Sequence, residues 1–370
     1  MANGGVYHLN MSGLKSFISI IFIFIFFINA PNLYAKVLLE RVGEPLQHPW
    51  GMDFLNHDEV LITERPGRIV KVVISTGKTT LITGVPKVFA GGQGGLLDIV
   101  VDTNDKEKEA NVYFCYSFKG PKGIGTAIDT GVLKENKIIN IRSIFISNHI
   151  LNSRKHFGCR LLLIKETLFA TLGDRGKRDS AQDKQNHSGS VIKILLNKDE
   201  KLELIREKTI FSFGHRNPQG LALNPKTNQI WSHEHGPKGG DEINILKKGK
   251  NYGWPIITSG EEYFGGQIGI GSSSPTHVSP IWTWTPSIAP SGMSFYDKTM
   301  FNEFKGHLLV GSLKFRALYL IKIQNDRPIS ENIVFKNKIG RIRDVAVSKD
   351  GSILLLTDER EGGLYRLFRE

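Results

Sequence analysis

The sequence predicts an all-β fold, a six-bladed β-propeller with four-stranded antiparallel blades. Three observations predict it: short apolar runs broken by Gly, Asn and Asp turns, no long stretch of helical period, and one pattern that returns six times. The pattern is an apolar strand, a turn, a second apolar strand, another turn and a third strand. "WGMDFLNHDEVLITERPGRIVKV" from Trp50 is the first copy, and "GGLLDIVVDTNDKEKEANVYFCYS" from Gly94 the second. "CRLLLIKETLFATLGDRG" from Cys159, completed by "GSVIKILL", is the third, and "QGLALNPKTNQIWSHEHGP" from Gln219 the fourth. The fifth starts at Ser291 ("SGMSFYDKTMFNEFKGHLLVGSLKFRALYLIKI") and the sixth at Arg343 ("RDVAVSKDGSILLLTDEREGGLYRLF"). Units of three or four strands in this number close as a propeller, and their unequal spacing implies long loops between blades. The last copy holds three strands, so "KVLLERV" at 36–42 is expected to supply the fourth and close the ring.

Residues 1–35 stand apart. Lys15 precedes an apolar run from Phe17 to Ile28, too short to span a bilayer, followed by "NAPNLYAKV" with a cleavage position after Ala35. This reads as a signal peptide, which makes residues 36–370 the propeller domain of an exported, periplasmic protein with no stable membrane span. The formal net charge is +12, or +11 once residues 1–35, whose one charged side chain is Lys15, are set aside. The basic residues are scattered rather than blocked and an exported protein rarely meets nucleic acid, so no nucleic-acid partner is expected; an anionic ligand remains. Export permits a bridge between the two cysteines, Cys115 and Cys159, but two cysteines do not make a disulfide framework. The balance of the reading falls on unpaired cysteines, with Cys115 buried in a strand.

In a propeller the first strand of each blade lines the central channel, and the residues just before it sit on one rim. Those positions carry "QHPW", "GGQGG", "KHFGCR", "GHRNPQG", "TPSIAPSG" and "GRIRD". Gln93, His156, Arg216, Asn217, Arg341 and Arg343 are therefore expected at one mouth, with the two last, which alternate along a strand, facing the same side. Three arginines in one concavity suit a ligand with several carboxylates or phosphates, and a histidine of near-neutral pKa is a general-base candidate. "GGQGG" lacks the strand–helix setting of a nucleotide loop. His233-x-His235 lacks a third nitrogen or sulfur ligand for zinc. The turn "GPKGGDE" exposes carbonyls and supplies Asp241 and Glu242, hard oxygen ligands of the kind calcium takes, or simply a solvated turn.

"HPWGMDFL", "GGQGGLLD", "HFGCRL", "LGDRGKRDSAQD", "RNPQGLALNP", "EHGPKGGDEIN", "KNYGWP" and "RIRDV" stand in one order along the chain from about Val37 to the C-terminus. In these the sequence resembles the soluble PQQ-dependent aldose sugar dehydrogenases of the glucose/sorbosone dehydrogenase family. The resemblance implies pyrroloquinoline quinone (PQQ) and calcium as cofactors, an aldose as substrate, oxidation at C1 to a lactone, and a quinone or cytochrome as electron acceptor. It implies His156 as the base at the C1 hydroxyl, with hydride passing to the quinone C5 and Arg216 facing the quinone oxygen. Gln93, Asn217, Lys314, Arg341 and Arg343 are implied to hold PQQ. The carbonyls of Gly236 and Pro237 are implied to bind one calcium, and Glu242 with the Tyr252 carbonyl a second. Two positions depart from the family pattern. Cys159 stands where a glycine is usual, which would narrow the site or shift the backbone, and Lys155 adds a charge that should lower the His156 pKa. The rival readings are a calcium-dependent propeller lactonase and a propeller that binds without catalysis.

Overall fold

The computed structural model describes residues 36–103, 109–197 and 205–370; the signal-peptide reading of 1–35 lies outside the described residues. The chain runs as β1 (Val37–Leu46) and then as successive four-stranded meanders. Blade 1 is β2 (Pro49–Phe54), β3 (Glu59–Glu64), β4 (Arg68–Val73) and β5 (Thr79–Ile82). Blade 2 is β6 (Leu96–Thr103), β7 (Ala110–Gly120), β8 (Gly123–Lys134) and β9 (Lys137–Ile146). Blade 3 is β10 (Leu161–Ile164), β11 (Thr167–Leu172), β12 (Ser190–Leu196) and β13 (Ile205–Phe213). Blade 4 is β14 (Pro218–Leu223), β15 (Ile230–Glu234), β16 (Asp241–Ile245) and, after the short β17 (Lys250–Asn251) that pairs in parallel with β13, β18 (Trp282–Trp284). Blade 5 is β19 (Pro290–Tyr296), β20 (His307–Ser312), β21 (Ala317–Gln324) and β22 (Arg327–Lys336). Blade 6 is β23 (Ile342–Val347), β24 (Ile353–Thr357) and β25 (Gly362–Arg369), closed by β1, which runs antiparallel to β25 with Val37 opposite Arg369. The closing strand expected at 36–42 is the one observed.

Local chemistry sets the meander. Between β21 and β22, Asn325 and Asp326 both hold positive φ (49° and 57°) while Gln324 faces Arg327, the two-residue turn that matches strand twist. The second strands of the blades are buried runs of Leu, Ile and Val, as in "VLIT", "LFAT" and "ILLLT", because they are covered on both faces by neighbouring blades. Two short 3₁₀ turns, Arg178–Gln182 and Asn302–Phe304, interrupt the loops.

The first strands pack on one another in a ring, β2 on β6, β6 on β10, β10 on β14, β14 on β19, β19 on β23 and β23 on β2. In every blade but the third, the pairing of the first strand with the second slips near its start, between Pro49 and Met52, Leu96 and Ile99, Pro218 and Gly220, Pro290 and Met293, and Ile342 and Asp344. Such bulges re-aim a side chain, here towards the axis. Asp98, Arg160 and Asp344 meet there: the Arg160 guanidinium lies 3.0 Å from Asp98 Oδ1 and 3.0 Å from Asp344 Oδ1, and its Nε donates to the Gln219 carbonyl at 2.9 Å. Gly51 and Gly292 make the room, since a Cβ at either would lie 2.2 Å from an Asp98 or Asp344 oxygen. One buried arginine so ties blades 2, 3, 4 and 6 across the channel.

The cysteines are a correction to the sequence reading. Cys115, in the middle of β7, is bonded to Cys159, just ahead of β10, so a disulfide crosses from blade 2 to blade 3. Two residues 44 apart with nothing local between them give no sequence sign of pairing. The loop it closes corresponds to about 4 kcal/mol on a chain-entropy model.

Candidate active site

The rim is built by segments that precede the inner strands. His156 lies in the irregular stretch between blades 2 and 3 with φ of 54°, and its backbone N–H donates to the Gln93 side-chain oxygen at 2.7 Å. Its Nδ1 is 2.6 Å from Asp174 Oδ1, and the other Asp174 oxygen accepts from Trp254 Nε1 at 2.8 Å. Asp174 also accepts from the Gly176 N–H at 2.6 Å. Burial works against the Asp174 carboxylate, but these three donors outweigh it and hold its pKa below the ordinary value. The aspartate thereby fixes an Nδ1–H tautomer and leaves Nε2 as the basic nitrogen. Burial is the main cause that pushes the His156 pKa down; the Arg216 charge adds to it, Asp174 opposes it, and Lys155 contributes in the expected direction with the smallest effect. The imidazole is neutral at pH 7.

Arg216 and Asn217 come from the loop before β14. The Arg216 backbone N–H is held by Glu234, whose other oxygen takes His215 Nδ1 at 2.8 Å, and His215 stacks on Tyr252 with ring centroids 4.7 Å apart. The guanidinium lies over the Trp254 ring at 5.4 Å and donates to the His235 carbonyl at 3.1 Å. Among the described residues it has no carboxylate partner, although it is buried. Asn217 Oδ1 accepts from the Gly158 N–H at 3.3 Å and from Gln219 Nε2 at 3.2 Å. Gln219 Oε1 in turn accepts from Arg343 at 3.2 Å. A continuous set of contacts thus runs from Gln93 in blade 2 through His156 and Asn217 to Arg343 in blade 6.

Arg343 is buried and paired to Asp358 at 2.6 Å, yet its Nε has no partner among the described residues. Arg341 precedes β23, is exposed, and is close enough to act electrostatically on Arg343. The two differ in depth, Arg343 buried and Arg341 exposed, yet both act on Asp358. Lys314 is exposed with its ammonium 5.2 Å from the ring of Phe315, and none of the contacts just described reaches it. Cys159 does not narrow the mouth: its side chain is wholly buried in the packing between blades with Trp50, Leu97 and Phe157.

Around the turn after β15, Asp241 builds the turn itself, accepting from the N–H groups of Gly236 and Ala289 at 2.8 Å each and from the Ser287 hydroxyl at 2.5 Å. The carbonyls of Gly236, Pro237 and Tyr252 accept no hydrogen bond among the described residues. Glu242 stands opposite Glu234 across β15 and β16, and burial together with that charge pushes its carboxyl well above the ordinary range. Asn244 Oδ1 and Ser232 Oγ, another opposed pair on the same face, are buried without partners. His235 Nε2 is spent on the Pro290 carbonyl at 2.7 Å. Among the described residues no three acidic, histidine or cysteine side chains form a metal site by themselves.

Sequence reasoning placed His156, Gln93, Arg216 and Asn217 together. It missed Asp174, Trp254, Glu234 and Gln219, which hold them, and Asp358, which holds Arg343. Asp174 and Trp254 do lie within the quoted stretches "LGDRG" and "KNYGWP".

A propeller with a neutral, aspartate-oriented histidine beside under-paired arginines at one channel mouth is an architecture for polar-ligand chemistry, and the comparisons with known proteins narrow it to sugar oxidoreductases. The pattern of the Glucose / Sorbosone dehydrogenase family matches residues 46–366, and the chain belongs to that family. It is 36% identical over 352 residues to the aldose sugar dehydrogenase YliI of Escherichia coli K12, covering 90% of this chain and 93% of that one. Quinoprotein glucose dehydrogenase B of Acinetobacter calcoaceticus is 25% identical over 423 residues, covering 90% of this chain and 87% of that protein. A crystal structure of a glucose dehydrogenase superposes with a TM-score of 0.82 at 37% identity, covering 89% of this chain and 99% of its own.

Proposed function

We propose that the protein oxidises aldoses at C1 to lactones with PQQ and calcium. The observation that carries the reading is His156, held between Gln93 and Asp174, its basic Nε2 with no hydrogen-bond partner among the described residues and Arg216 acting on the ring. The residues present fit the cofactor. Arg216 without a carboxylate, the orphaned Nε of Arg343 and the neighbouring Arg341 are cations that a tricarboxylate would pair. Arg341, Arg343, Asn217, Gln93 and Lys314 are the residues that would hold it. The free carbonyls of Gly236 and Pro237 suit a calcium at the mouth. Glu242 and the Tyr252 carbonyl suit a second, where the buried oxygens of Asn244 and Ser232 and the crowded Glu234–Glu242 pair want a cation. Bound PQQ would supply the two-electron acceptor.

The chain's own part is proton handling and orientation. His156 Nε2 takes the C1 hydroxyl proton, and the C1–H leaves with its electron pair, so C1 becomes the lactone carbonyl. Asp174 stabilises the imidazolium that forms, and Arg216 places positive charge where negative charge develops. We further propose export to the periplasm, which the cross-blade disulfide supports because such bonds persist in oxidising compartments. Electrons then pass to a quinone or cytochrome.

The test is reconstitution of the purified protein with PQQ and calcium, followed by reduction of a dye acceptor across a panel of aldoses. His156→Gln should lower kcat by roughly 10²–10⁴-fold. Dye reduction by no sugar despite bound PQQ sinks the reading, and lactone hydrolysis without PQQ would favour the lactonase instead.

A further inference from the structure

We propose that the Cys115–Cys159 disulfide is a positioning device for His156, keeping its imidazole on Asp174. The inference rests on His156 being the base. The loop 153–160 has no strand pairing of its own. Within four residues it places His156, Gly158 and Cys159 at φ of 54°, 65° and 74°. Side chains with a Cβ stay in that left-handed region when their surroundings over-determine it. The noncovalent anchors close to the imidazole are hydrogen bonds: Gln93 takes the His156 N–H and donates its own backbone N–H to the Arg154 carbonyl, Asn217 reaches the Gly158 N–H at 3.3 Å, and the Cys159 N–H donates to the Thr171 carbonyl at 2.6 Å, while Arg175 donates to the Ser153 and Lys155 carbonyls ahead of His156 and to the Ile124 carbonyl of blade 2. After His156 itself, between Phe157 and Cys159, none of these hydrogen bonds comes from blade 2.

The disulfide adds a covalent anchor on that side. Cys115 sits in the centre of an 11-residue strand hydrogen-bonded to strands on both sides, opposite Ile128, which makes it a rigid point of attachment. Cys159 is three residues from the imidazole. Between them the Phe157 ring is clamped under Arg175, 3.9 Å from its guanidinium carbon, so the loop has little slack. On the blade 3 side, Gly173 has no space for even a Cβ, which would lie 2.2 Å from the His156 carbonyl oxygen. The loop is pressed against the Leu172–Asp174 segment, and movement away from it lengthens the bond from Nδ1 to Asp174 first. Cysteine at a φ of 74°, where glycine would sit unstrained, is accounted for by what its sulfur holds.

The experiment compares wild type with Cys115→Val/Cys159→Gly, which removes the bridge and puts glycine at the left-handed position. Cys115→Ser is a second route to the same loss. In cofactor-free, ¹⁵N-histidine-labelled protein, the downfield His156 Nδ1 proton, identified by its disappearance in His156→Gln, should exchange with water at least tenfold faster in the variants. In protein loaded with PQQ and calcium, kcat should fall about tenfold with the sugar KM changed by less than a factor of two. Leu354→Ala, wholly buried in β24 on the sixth blade, is the control for destabilisation alone: it should lower the Tm and leave both readouts at wild-type values. Variants that lose Tm but keep wild-type proton exchange and kcat overturn the proposal, as does a wild-type Nδ1 proton with no protection. Wild-type protein that turns over no sugar, yet loses proton protection on removal of the bridge, overturns the function and leaves the positioning role standing.

Discussion

Arg160 and Arg216 are two arginines buried among the inner strands and the segments before them, and their surroundings are opposite. Arg160 is saturated: Asp98 and Asp344 flank its guanidinium and the Gln219 carbonyl takes its Nε, while Trp50 lies 4.5 Å beneath. Arg216 is as buried but has a carbonyl, a tyrosine hydroxyl at 3.5 Å and an indole face. A buried charge costs free energy unless it is paired, so a fully paired arginine belongs to the fold, and the under-paired one is where the proposed function puts a ligand's charge. The carboxylates follow suit. Burial pushes Asp98 up to about 7 and raises Asp344 too, even with Arg160 between them, since both compete for one cation.

That contrast can be broken by experiment. Arg160→Met should cost about 3–5 kcal/mol by stranding two carboxylates, lowering the Tm by roughly 10 °C in a calorimetric scan. An unchanged Tm would remove the structural role. Arg216→Met should do the reverse: the Tm holds or rises, while kcat with reconstituted cofactor falls by roughly 10²–10³-fold in a dye assay. Arg343 lies between the two extremes. Against the penalty of burial, the Arg343 charge and hydrogen bond, with help from Arg65 and Arg341, push Asp358 down to about 2. Its pKa is lower folded than unfolded, so the stability it contributes is present above pH 4 and is lost as pH falls through 2. Acid unfolding in urea should show this as a contribution on the order of 2 kcal/mol, absent in Asp358→Asn. The smallest effect concerns His156, whose pKa burial holds below 6.5. The kcat/KM profile should stay flat through pH 6.5 and bend at lower pH, and a bend above 6.5 would contradict a buried, neutral base.

The architecture was legible because each blade repeats its own local chemistry. "GMDFL", "LLDIV" and "RDVAV" announce an inner strand without knowledge of any partner, and the three-strand last copy leaves a place that "KVLLERV" can fill. The rim was legible for the same reason, since position within a repeat decides what faces the mouth. What stayed hidden are pairings between blades. Asp174 is 18 residues from His156, Gln219 is 124 from Arg343, and Cys115 is 44 from Cys159, and none of these separations has a period. The alternation that put Arg341 beside Arg343 does not tell that one is exposed and the other buried, with a register shift between Ile342 and Asp344. Strand periodicity reports the face of a regular strand and carries no information about where regularity stops.

The seam between β1 and β25 has a consequence for how the molecule is made. Blades 1 to 5 are sequential meanders that can zip locally, but the sixth waits until Val37 meets Arg369. The circle snaps shut only after both of its edges have been made. Clipping eight residues, Gly362–Arg369, would leave two raw sheet edges facing each other across a gap, an invitation to intermolecular strand exchange instead of a shortened tail.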